Sequence, residues 1–400
     1  MTRRAVAAIA PLLLAGTLAP SAIQVTATRP VTIPFELVNR HVIVKATVNK
    51  SRPLSFVLDT GANLAIVRSD VARALNLRLA GSVTSRGAGP GVQAGNRVSG
   101  ATWSLVGLET FAQPVAFALP LPELAPALGT DLDGIVGGEF IKQFVLEVDY
   151  QARAIRLHDP SSFTYAGRGE TLPIEFTPGG HPVVTATVTP ADTPIQRKFM
   201  LDIGSGLALA LHSPFVREQN LPGQQKTIRA IGAAGAGGRS AGRLGRVNAL
   251  QIGSFSIRNP ITLFSEDTAG AFADASLAGN IGAQIAMRFR TFFDYGRRRI
   301  IVEPSPAFAD SFDRAFAGVA LRAEPPGYHT FRVNALLEDS PAAEAGLAAG
   351  DVITAVDGTA ASELTLTAVN DMLEKPIARE LTVRRADKTL KVTITPRRLI

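Results

Sequence analysis

Short stretches of alternating apolar and polar residues run along the chain from residue 28 onward, separated by Gly, Pro, Asn and Asp. Such alternation between closely spaced turn residues predicts short β-strands. The clearest candidate strands cover residues 42–48, 54–58, 64–67, 145–148 and 155–158. Helices are expected to be short, with Ser69 and Ser213 as N-caps and Pro214 at a first helical position. The pattern therefore predicts a mainly β protein.

The pattern also occurs twice. Residues 41–48 match residues 181–188, residues 69–77 match residues 213–221, and residues 135–150 match residues 280–295. The matches keep their order at a spacing of about 140 residues, which describes a duplicated unit of roughly 130 residues. Two tandem lobes related by a pseudo-twofold axis are expected.

Each copy carries one acid directly behind an apolar run. Asp59 follows Phe56-Val57-Leu58, and Asp202 follows Phe199-Met200-Leu201. A carboxylate at the end of a buried strand costs free energy unless it has partners. Because both acids occupy the same frame of the repeat, we expect them to meet across the pseudo-twofold axis.

A glycine-rich loop follows each acid at a similar distance. Residues 86–97 contain Gly87, Gly89 and Gly91, and residues 232–245 contain Gly235 and Gly237. Neither loop opens a helix behind a strand, so neither is a dinucleotide-binding fingerprint. The composition predicts two hairpin tips that act as mobile flaps over a cleft, with a plain surface turn as the alternative.

The pattern changes after a linker rich in Pro, Ser and Ala at residues 303–313. Residues 340–347 predict a one-turn helix, with Ser340 as N-cap and Pro341 at the first position. A strand over residues 352–356 and a helix over residues 365–374 follow. These elements predict a separate, small α+β domain at the C-terminus.

The first residues have the layout of a secretory signal. Arg3 and Arg4 precede an apolar stretch from residue 5 to residue 19 and then small residues. Cleavage is expected after Ala22 or Ala27, with an uncleaved anchor as the alternative. Either outcome places the globular part outside the cytoplasmic membrane, in the periplasm or secreted.

Composition excludes several classes of function. The net charge of +7 comes from scattered residues without a basic stripe, so nucleic-acid binding is not expected. The chain has no Cys, which excludes a thiolate nucleophile and a disulfide framework. The five His are scattered, and neither a His-Glu-x-x-His nor a Gly-x-Ser-x-Gly motif occurs. No metal or cofactor is expected.

The duplicated unit resembles the bacterial retropepsin-like aspartic proteases that carry two lobes in one chain. The resemblance rests on residues 58–62 and 201–205, and on the apolar-apolar-Gly element at 135–137, repeated more loosely at 280–282. Residues 340–347 and 350–358 resemble a PDZ domain of bacterial proteases. The predicted domains are a signal or anchor (1–27), two β-barrel lobes (28–165 and 166–306) and a linker plus PDZ-like domain (307–400).

The resemblance implies an aspartic endopeptidase whose catalytic pair is Asp59 and Asp202. Two carboxyls a few ångström apart share one proton, so one acts as base toward water and the other as acid toward the scissile amide. No separate roles are assigned to the two acids. The residues expected to support them are Thr60, Gly61, Ala62, Gly204 and Ser205.

The implied partners are polypeptide substrates and a peptide or C-terminus at the PDZ-like domain. Phe316-Ala317-Gly318-Val319 resembles the carboxylate-binding loop of that domain. Because the duplication supplies both halves of the catalytic pair, we expect a monomer.

One residue departs from the family pattern. The position after each catalytic Asp usually carries Thr or Ser; Thr60 fits, and Ile203 does not. Either apolar packing holds the second loop, or the second lobe has lost its catalytic role. Two further hypotheses follow: a non-catalytic extracytoplasmic peptide-binding protein, and an enzyme in which the first lobe pairs with its counterpart in a second chain.

Overall fold

The computed structural model describes residues 30–111, 115–223, 225–231, 234–235 and 237–400. The predicted signal segment at residues 1–27 lies outside the described residues. Within the described ranges, no helix has both the length and the apolar character needed to span a membrane.

The first lobe covers residues 31–158. Its described strands are β1 (Val31–Pro34), β2 (Glu36–Val38), β3 (His41–Val48), β4 (Leu54–Leu58), β5 (Ala65–Arg68), β6 (Arg78–Arg86), β7 (Val92–Ser99), β8 (Trp103–Leu105), β9 (Leu108–Phe111), β10 (Ala116–Leu119), β11 (Gly134–Val136), β12 (Val145–Asp149) and β13 (Ala154–His158). Its helices are α1 (Ser69–Ala74), α2 (Leu124–Leu128) and α3 (Gly138–Ile141). Strands β2 to β11 form one sheet in the order β6-β7-β10-β5-β11-β4-β3-β8-β9, with β2 paired to β3.

The second lobe covers residues 170–304. Its described strands are β14 (Glu170–Pro173), β15 (Glu175–Phe176), β16 (Pro182–Thr189), β17 (Ile195–Asp202), β18 (Leu209–Leu211), β19 (Ile228–Arg229), β20 (Ala234–Gly235), β21 (Gly238–Arg239), β22 (Gly242–Arg246), β23 (Ala249–Ile252), β24 (Phe255–Arg258), β25 (Ile261–Ser265), β26 (Gly279–Gly282), β27 (Phe289–Asp294) and β28 (Arg299–Pro304). Its helices are α4 (Ser213–Glu218), α5 (Ala283–Ala286) and a 3₁₀ turn (Ala271–Ala273).

The two lobes have the same topology. The main sheet of the second lobe runs β19-β22-β25-β18-β26-β17-β16-β23-β24, with β15 paired to β16. Each strand corresponds in position to one of the first lobe, as the sequence repeat requires. The predicted fold of two tandem β lobes is confirmed.

A six-stranded sheet joins the lobes in the order β1-β13-β12-β27-β28-β14. Three of its strands come from each lobe. The central pair is antiparallel, with Leu146 opposite Phe293 and Val148 opposite Thr291. Because β12 and β27 are equivalent strands of the repeat, the pseudo-twofold axis passes between them.

The C-terminal domain follows a 3₁₀ turn (Pro306–Ala309). It contains β29 (Val319–Glu324), β30 (Thr330–Leu336), α6 (Pro341–Glu344), β31 (Val352–Val356), β32 (Thr359–Ala360), a 3₁₀ turn (Ala361–Glu363), α7 (Leu366–Leu373), β33 (Arg379–Arg385) and β34 (Lys388–Ile394). One sheet takes the order β29-β30-β31-β33-β34, with β32 paired to β31. The predicted small α+β domain is confirmed.

Helix caps were predicted with mixed success. Ser340 caps α6, and its side chain accepts a hydrogen bond from Ala343 N–H, as predicted. The prediction for Ser69 and Ser213 was wrong by one position: both are first helical residues, and Arg68 and His212 precede them in extended backbone. The reason is that β5 and β18 lead almost directly into their helices, so the extended residue before each serine takes the N-cap position.

Candidate active site

Parallel strand pairs deliver the two acids to the same place. Leu58, the last residue of β4, pairs with Val136 of β11, and Asp202, the last residue of β17, pairs with Gly282 of β26. The backbone N–H of Asp59 donates to Val136 O at 2.9 Å. The apolar-apolar-Gly element of each repeat is therefore the strand that fixes the end of the strand bearing the acid.

The glycines after the acids allow the two loops to interlock. A Cβ at Gly61 would lie 2.6 Å from Asp202 Oδ1, and a Cβ at Gly204 would lie 2.1 Å from the carboxyl carbon of Asp59. Neither glycine has a positive φ, so the requirement is for space and not for backbone conformation. Each glycine packs against the acid of the other lobe, which brings Asp59 and Asp202 together as predicted.

The two carboxyls hydrogen-bond each other. Burial raises the pKa of Asp59 well above its usual range, and the neighbouring charge of Asp202 adds to the rise. Burial also raises the pKa of Asp202, while hydrogen bonds from Asn280 and Asp59 oppose that rise. Two carboxyls in contact and largely shielded from water are expected to hold one proton between them. The asymmetry of their partners favours Asp59 as the protonated member.

Backbone groups of the predicted supporting residues complete the loops. Gly61 N–H donates to Asp59 Oδ1 at 2.7 Å, and Ser205 N–H donates to the main-chain oxygen of Asp202 at 3.2 Å. Ala62 O accepts from Gly138 N–H, and Ser205 O accepts from Ala283 N–H, both at 2.8 Å. These equivalent bonds tie each acid loop to the helix that follows its apolar-apolar-Gly strand. The Ser205 hydroxyl oxygen accepts from Leu207 N–H at 3.5 Å.

The hydroxyl of one threonine, Thr60, links the two acid loops by two hydrogen bonds, which together form the clasp. The Thr60 hydroxyl donates to Leu201 O at 2.7 Å and accepts from Ile203 N–H at 3.0 Å. Ile203 is buried and lines a small apolar cavity together with Ile281 and Phe289. Of the two explanations offered for Ile203, the packing agrees with apolar support of the second loop.

Asn280 is a site residue that the sequence reasoning missed. Its Nδ2 donates to Asp202 Oδ2 at 2.8 Å, and the residue is buried in β26. The equivalent position in the first lobe is Ile135, which has no side-chain donor. The only signal was the looser apolar-apolar-Gly match at residues 280–282, where an amide replaces an apolar side chain.

The two glycine-rich loops meet tip to tip. Gly91 N–H donates to Gly237 O at 2.8 Å, and Gly237 N–H donates to Ala88 O at 2.7 Å. Gly87 O accepts from Ala271 N–H at 3.2 Å, and Gly89 has a φ of 94°. A Cβ at Gly235 would come 2.6 Å from Ala88 Cβ, so side chains at these tips would push the loops apart.

The predicted carboxylate-binding loop precedes β29 in the C-terminal domain. Phe316, Ala317, Gly318 and Val319 line a cavity of about 300 Å³ between this domain and the lobes. Gly318 has a φ of 77°, and a Cβ there would lie 2.2 Å from Ser340 Cβ. Basic residues of this cavity include Arg229, Arg239 and Arg314.

Helix α2 of the first lobe covers the groove between β29 and α7. Ala125 and Leu128 belong to the same buried apolar cluster as the core of the C-terminal domain. A Cβ at Gly129 would lie 2.4 Å from Leu366 Cβ, and Glu123 forms a 3.0 Å ion pair with Arg322 of β29. Strand β29 pairs with β30 along one edge, and α2 lies along the groove without forming a strand.

The described ranges of the chain contain no group of three or more His, Cys, Asp or Glu side chains placed to hold a metal ion. The repeat-equivalent His41 and His181 are held by local partners, Asn39 O at 2.7 Å and the Thr177 hydroxyl at 3.0 Å.

Comparisons with known proteins identify two families. Residues 44–140 match the aspartyl protease family model, and residues 332–385 match the PDZ domain family model. No curated protein matches the sequence. The resemblances to aspartic proteases and to PDZ domains are confirmed by these family matches.

Two solved structures match this chain at low sequence identity. The aspartic proteinase from Irpex lacteus has 12% identity and a TM-score of 0.44, over 70% of this chain and 99% of its own. Basic 7S globulin from soybean has 10% identity and a TM-score of 0.44, over 71% of this chain and 97% of its own.

The chain therefore carries an aspartyl protease-like domain, whose matched residues 44–140 include Asp59. More particularly, it carries that aspartyl protease-like unit followed by a PDZ domain.

Proposed function

We propose that the chain is an aspartic endopeptidase that hydrolyses peptide bonds in extended polypeptides. The observation that carries the proposal is the contact between Asp59 and Asp202, two half-buried carboxyls whose pKa values are both raised. Such a pair provides a base and an acid at the same pH, which is what amide hydrolysis by water requires.

The surroundings of the two acids assign their roles. The carboxyl of Asp202 accepts a hydrogen bond from Asn280 Nδ2, which favours its ionised form, so it takes the proton from the attacking water. Asp59 carries the shared proton and gives it to the scissile carbonyl oxygen as the water oxygen bonds to the carbon. Collapse of the resulting diol breaks the C–N bond: one diol hydroxyl returns its proton to Asp59, and the proton held on Asp202 passes to the leaving amine.

The glycine tips control access in this proposal. Because Gly91 and Gly237 bond across the gap between the lobes, the tips must separate before a polypeptide can reach the acids. Backbone groups of the tips then bind the extended substrate as an added strand. Glycine at the tips permits both the close contact and the opening.

The PDZ domain is proposed to bind a peptide or C-terminus in the groove that α2 now covers. An added strand along β29 requires its free edge, so the ligand must displace α2. Arg239 of β21, at the second glycine tip, donates to Asn334 of β30 at 2.8 Å. Because the same domain contacts both α2 and a glycine tip, ligand binding is proposed to regulate access to the acids.

The proposal also covers the location of the protein and its oligomeric state. The basic and apolar layout of residues 1–27 supports an extracytoplasmic enzyme, either cleaved or anchored. The convergence of Asp59 and Asp202 within one chain supports a catalytically complete monomer.

A second candidate function is peptide binding without catalysis. The observation that favours it is Ile203, which leaves Thr60 as the only hydroxyl of the clasp. A clasp formed by one lobe constrains the second loop less than a reciprocal one would.

Hydrolysis of an unfolded protein separates the two candidates. Purified protein should cleave the substrate within pH 3–8, and Asp59→Asn and Asp202→Asn should each abolish cleavage. Asp192→Asn is the matched control, because Asp192 is exposed in a turn. Wild-type protein as inert as both variants over this range would contradict the peptidase and leave the binding protein.

A further inference from the structure

A buried histidine lies behind the acid of the second lobe. His212 is 1% exposed and precedes α4, with its ring centroid 5.8 Å from that of Phe272. Its Nε2 lies 2.8 Å from Asn280 Oδ1, and its Nδ1 lies 3.0 Å from Asp274 O. Asn280 in turn donates to Asp202, so an unbroken series of hydrogen bonds connects the histidine to the acid.

The donors and acceptors in this series make the protonation states of His212 and Asp202 depend on each other. Both ring nitrogens of His212 face oxygen atoms when Asn280 directs its NH₂ group to Asp202. A neutral imidazole has only one N–H, so this arrangement calls for a doubly protonated ring, whose positive charge favours an ionised Asp202. Rotating the amide of Asn280 reverses the series. Asp202 then donates to Asn280 Oδ1, Asn280 Nδ2 donates to Nε2, and the neutral ring donates from Nδ1 to Asp274 O.

The charged groups near the ring are few. Asp274 lies at the end of the 3₁₀ turn, where its carboxyl accepts from Ser276 N–H at 2.8 Å. Asp202 lies beyond Asn280. Burial lowers the pKa of His181, and the negative charges of Asp202 and Asp274 oppose that lowering. Asp267 contributes its carbonyl to the Ser213 hydroxyl next in sequence. The adjacent strands β18 and β25 consist of uncharged residues.

The first lobe has no counterpart of this series. The positions equivalent to His212 and Asn280 are Arg68 and Ile135. Arg68 is held by Asp70 at 2.6 Å and by Leu132 O at 2.6 Å, and Ile135 packs in an apolar cluster. The asymmetry therefore concerns Asp202 alone and breaks the equivalence of the two acids.

We propose that His212 is a positioning residue which, through the amide of Asn280, determines whether Asp202 accepts or donates. His212 thereby decides which of the two acids holds the shared proton. The doubly protonated ring places that proton on Asp59 and leaves Asp202 as the base. The proposal rests on the proposed peptidase function, although the proton coupling itself does not require turnover.

Ring ¹⁵N NMR of His212 tests the coupling without catalysis. Asp202→Asn removes the charge that stabilises the doubly protonated ring. At a pH where the wild-type ring is doubly protonated, the variant should show the neutral tautomer with the proton on Nδ1. Asp192→Asn should leave the ring signals unchanged. Ring signals that are the same in Asp202→Asn and wild type at every pH would overturn the proposal.

Kinetics test the positioning role. His212→Gln keeps a donor toward Asn280 but carries no charge and cannot titrate. We expect kcat to fall by about 10- to 100-fold with KM unchanged, since the hydrogen bond to Asn280 loses its charged donor. In the wild type, one limb of the pH profile of kcat should follow the same pH dependence as the ring signals of His212. This limb should be absent in His212→Gln. Arg68→Gln, the equivalent change in the first lobe, should keep that limb.

The outcomes separate this proposal from the peptidase function. If the wild-type protein has no peptidase activity but shows the NMR response, the proposed peptidase function is wrong and the proton coupling between His212 and Asp202 stands. An active wild type whose pH profile is unchanged in folded His212→Gln would remove the positioning role. If His212→Gln does not fold, the Asp202→Asn comparison alone decides.

Discussion

The backbone N–H of Ile203 donates to the hydroxyl of Thr60 across the lobe junction, at 3.0 Å, and the same hydroxyl donates to Leu201 O. One buried side chain of the first lobe thus satisfies two backbone groups of the second. The apolar side chain of Ile203 packs below these groups and provides no hydrogen bond to the first lobe in return. The clasp is one-sided, and the position of Asp202 depends on Thr60.

Thr60→Val should therefore destabilise the protein and impair catalysis together. The substitution preserves shape but leaves Leu201 O and Ile203 N–H buried without partners, which costs about 2–4 kcal/mol. Urea unfolding of the variant measures this loss, and Thr84→Val on an exposed strand position is the control. A loss below about 0.5 kcal/mol, the usual range for surface changes, would contradict a central role for the clasp.

Gly204→Ala should abolish peptide hydrolysis. The added methyl group would lie 2.1 Å from the carboxyl carbon of Asp59, so the loops must separate and the acids must lose contact. We expect activity to fall by at least about 100-fold, since a misplaced catalytic group costs that much. Gly296→Ala is the matched control, because the nearest atom to a Cβ there is 4.0 Å away. Substantial activity in Gly204→Ala would show that the acids need not touch.

Asp59→Asn should raise stability at neutral pH more than at acidic pH. The pKa of Asp59 is raised in the folded state by burial and by Asp202, so the folded protein binds more protons than the unfolded chain above the usual Asp value of 3.8. Wild-type stability is fully retained below that pH and falls as pH rises through the raised pKa. Asn does not titrate and avoids this loss. Melting temperatures of both proteins at pH 4 and pH 7 check the sign, and an equal difference at both values would contradict it.

Linking the glycine tips should block hydrolysis reversibly. The chain has no cysteine, so Ala88→Cys with Gly235→Cys provides a single defined pair at the tip contact. A separation of the tips by about 1 Å brings the two Cβ atoms from 2.6 Å to the spacing of about 3.8 Å that a disulfide needs. Oxidation should reduce cleavage of a protein substrate by at least about tenfold, because closed tips exclude it, and reduction should restore activity. The two single-cysteine variants control for the substitutions. Full activity in the confirmed disulfide form would exclude opening at the tips.

Weakening the contact of α2 should free the PDZ groove. Leu128→Ala removes part of the buried apolar contact with the C-terminal domain, which costs about 2–5 kcal/mol when a buried leucine is truncated. Binding of a labelled peptide with a free C-terminal carboxylate, followed by anisotropy, should tighten by at least about tenfold as the covered state becomes less populated. Glu123→Gln, which breaks only the ion pair with Arg322, should have a smaller effect. Unchanged affinity in a folded Leu128→Ala variant would show that α2 does not compete with the ligand.

The sequence predicted those features that depend on local patterns or on the repeat. The strands at residues 54–58 and 352–356 have the predicted bounds, and α7 lies between its predicted ends, Thr365 and Glu374. These segments succeed because the alternation, the caps and the turns agree. The contact between Asp59 and Asp202 could be predicted for a different reason. The duplication implies a pseudo-twofold axis, and equivalent residues beside that axis lie close to each other.

Features that arise from contacts between distant segments were not predictable. Asn280 reaches Asp202 only because β26 lies beside β17, and no local pattern marks its partner His212. Helix α2 contains Pro126 and has five residues, too short for a periodic signal, and its place over the PDZ groove depends on the packing of separate domains. The contact between the glycine tips likewise follows from lobe arrangement.

The most direct test of the shared proton is a ¹³C NMR titration of the aspartate carboxyls in wild type and in Asp202→Asn. The account predicts that the Asp59 carboxyl of the wild type stays protonated well above the usual Asp range while Asp202 is ionised. In Asp202→Asn, Asp59 should ionise at lower pH, because the neighbouring charge is gone and only burial remains. Two wild-type carboxyls that titrate independently near the usual Asp value would contradict the account.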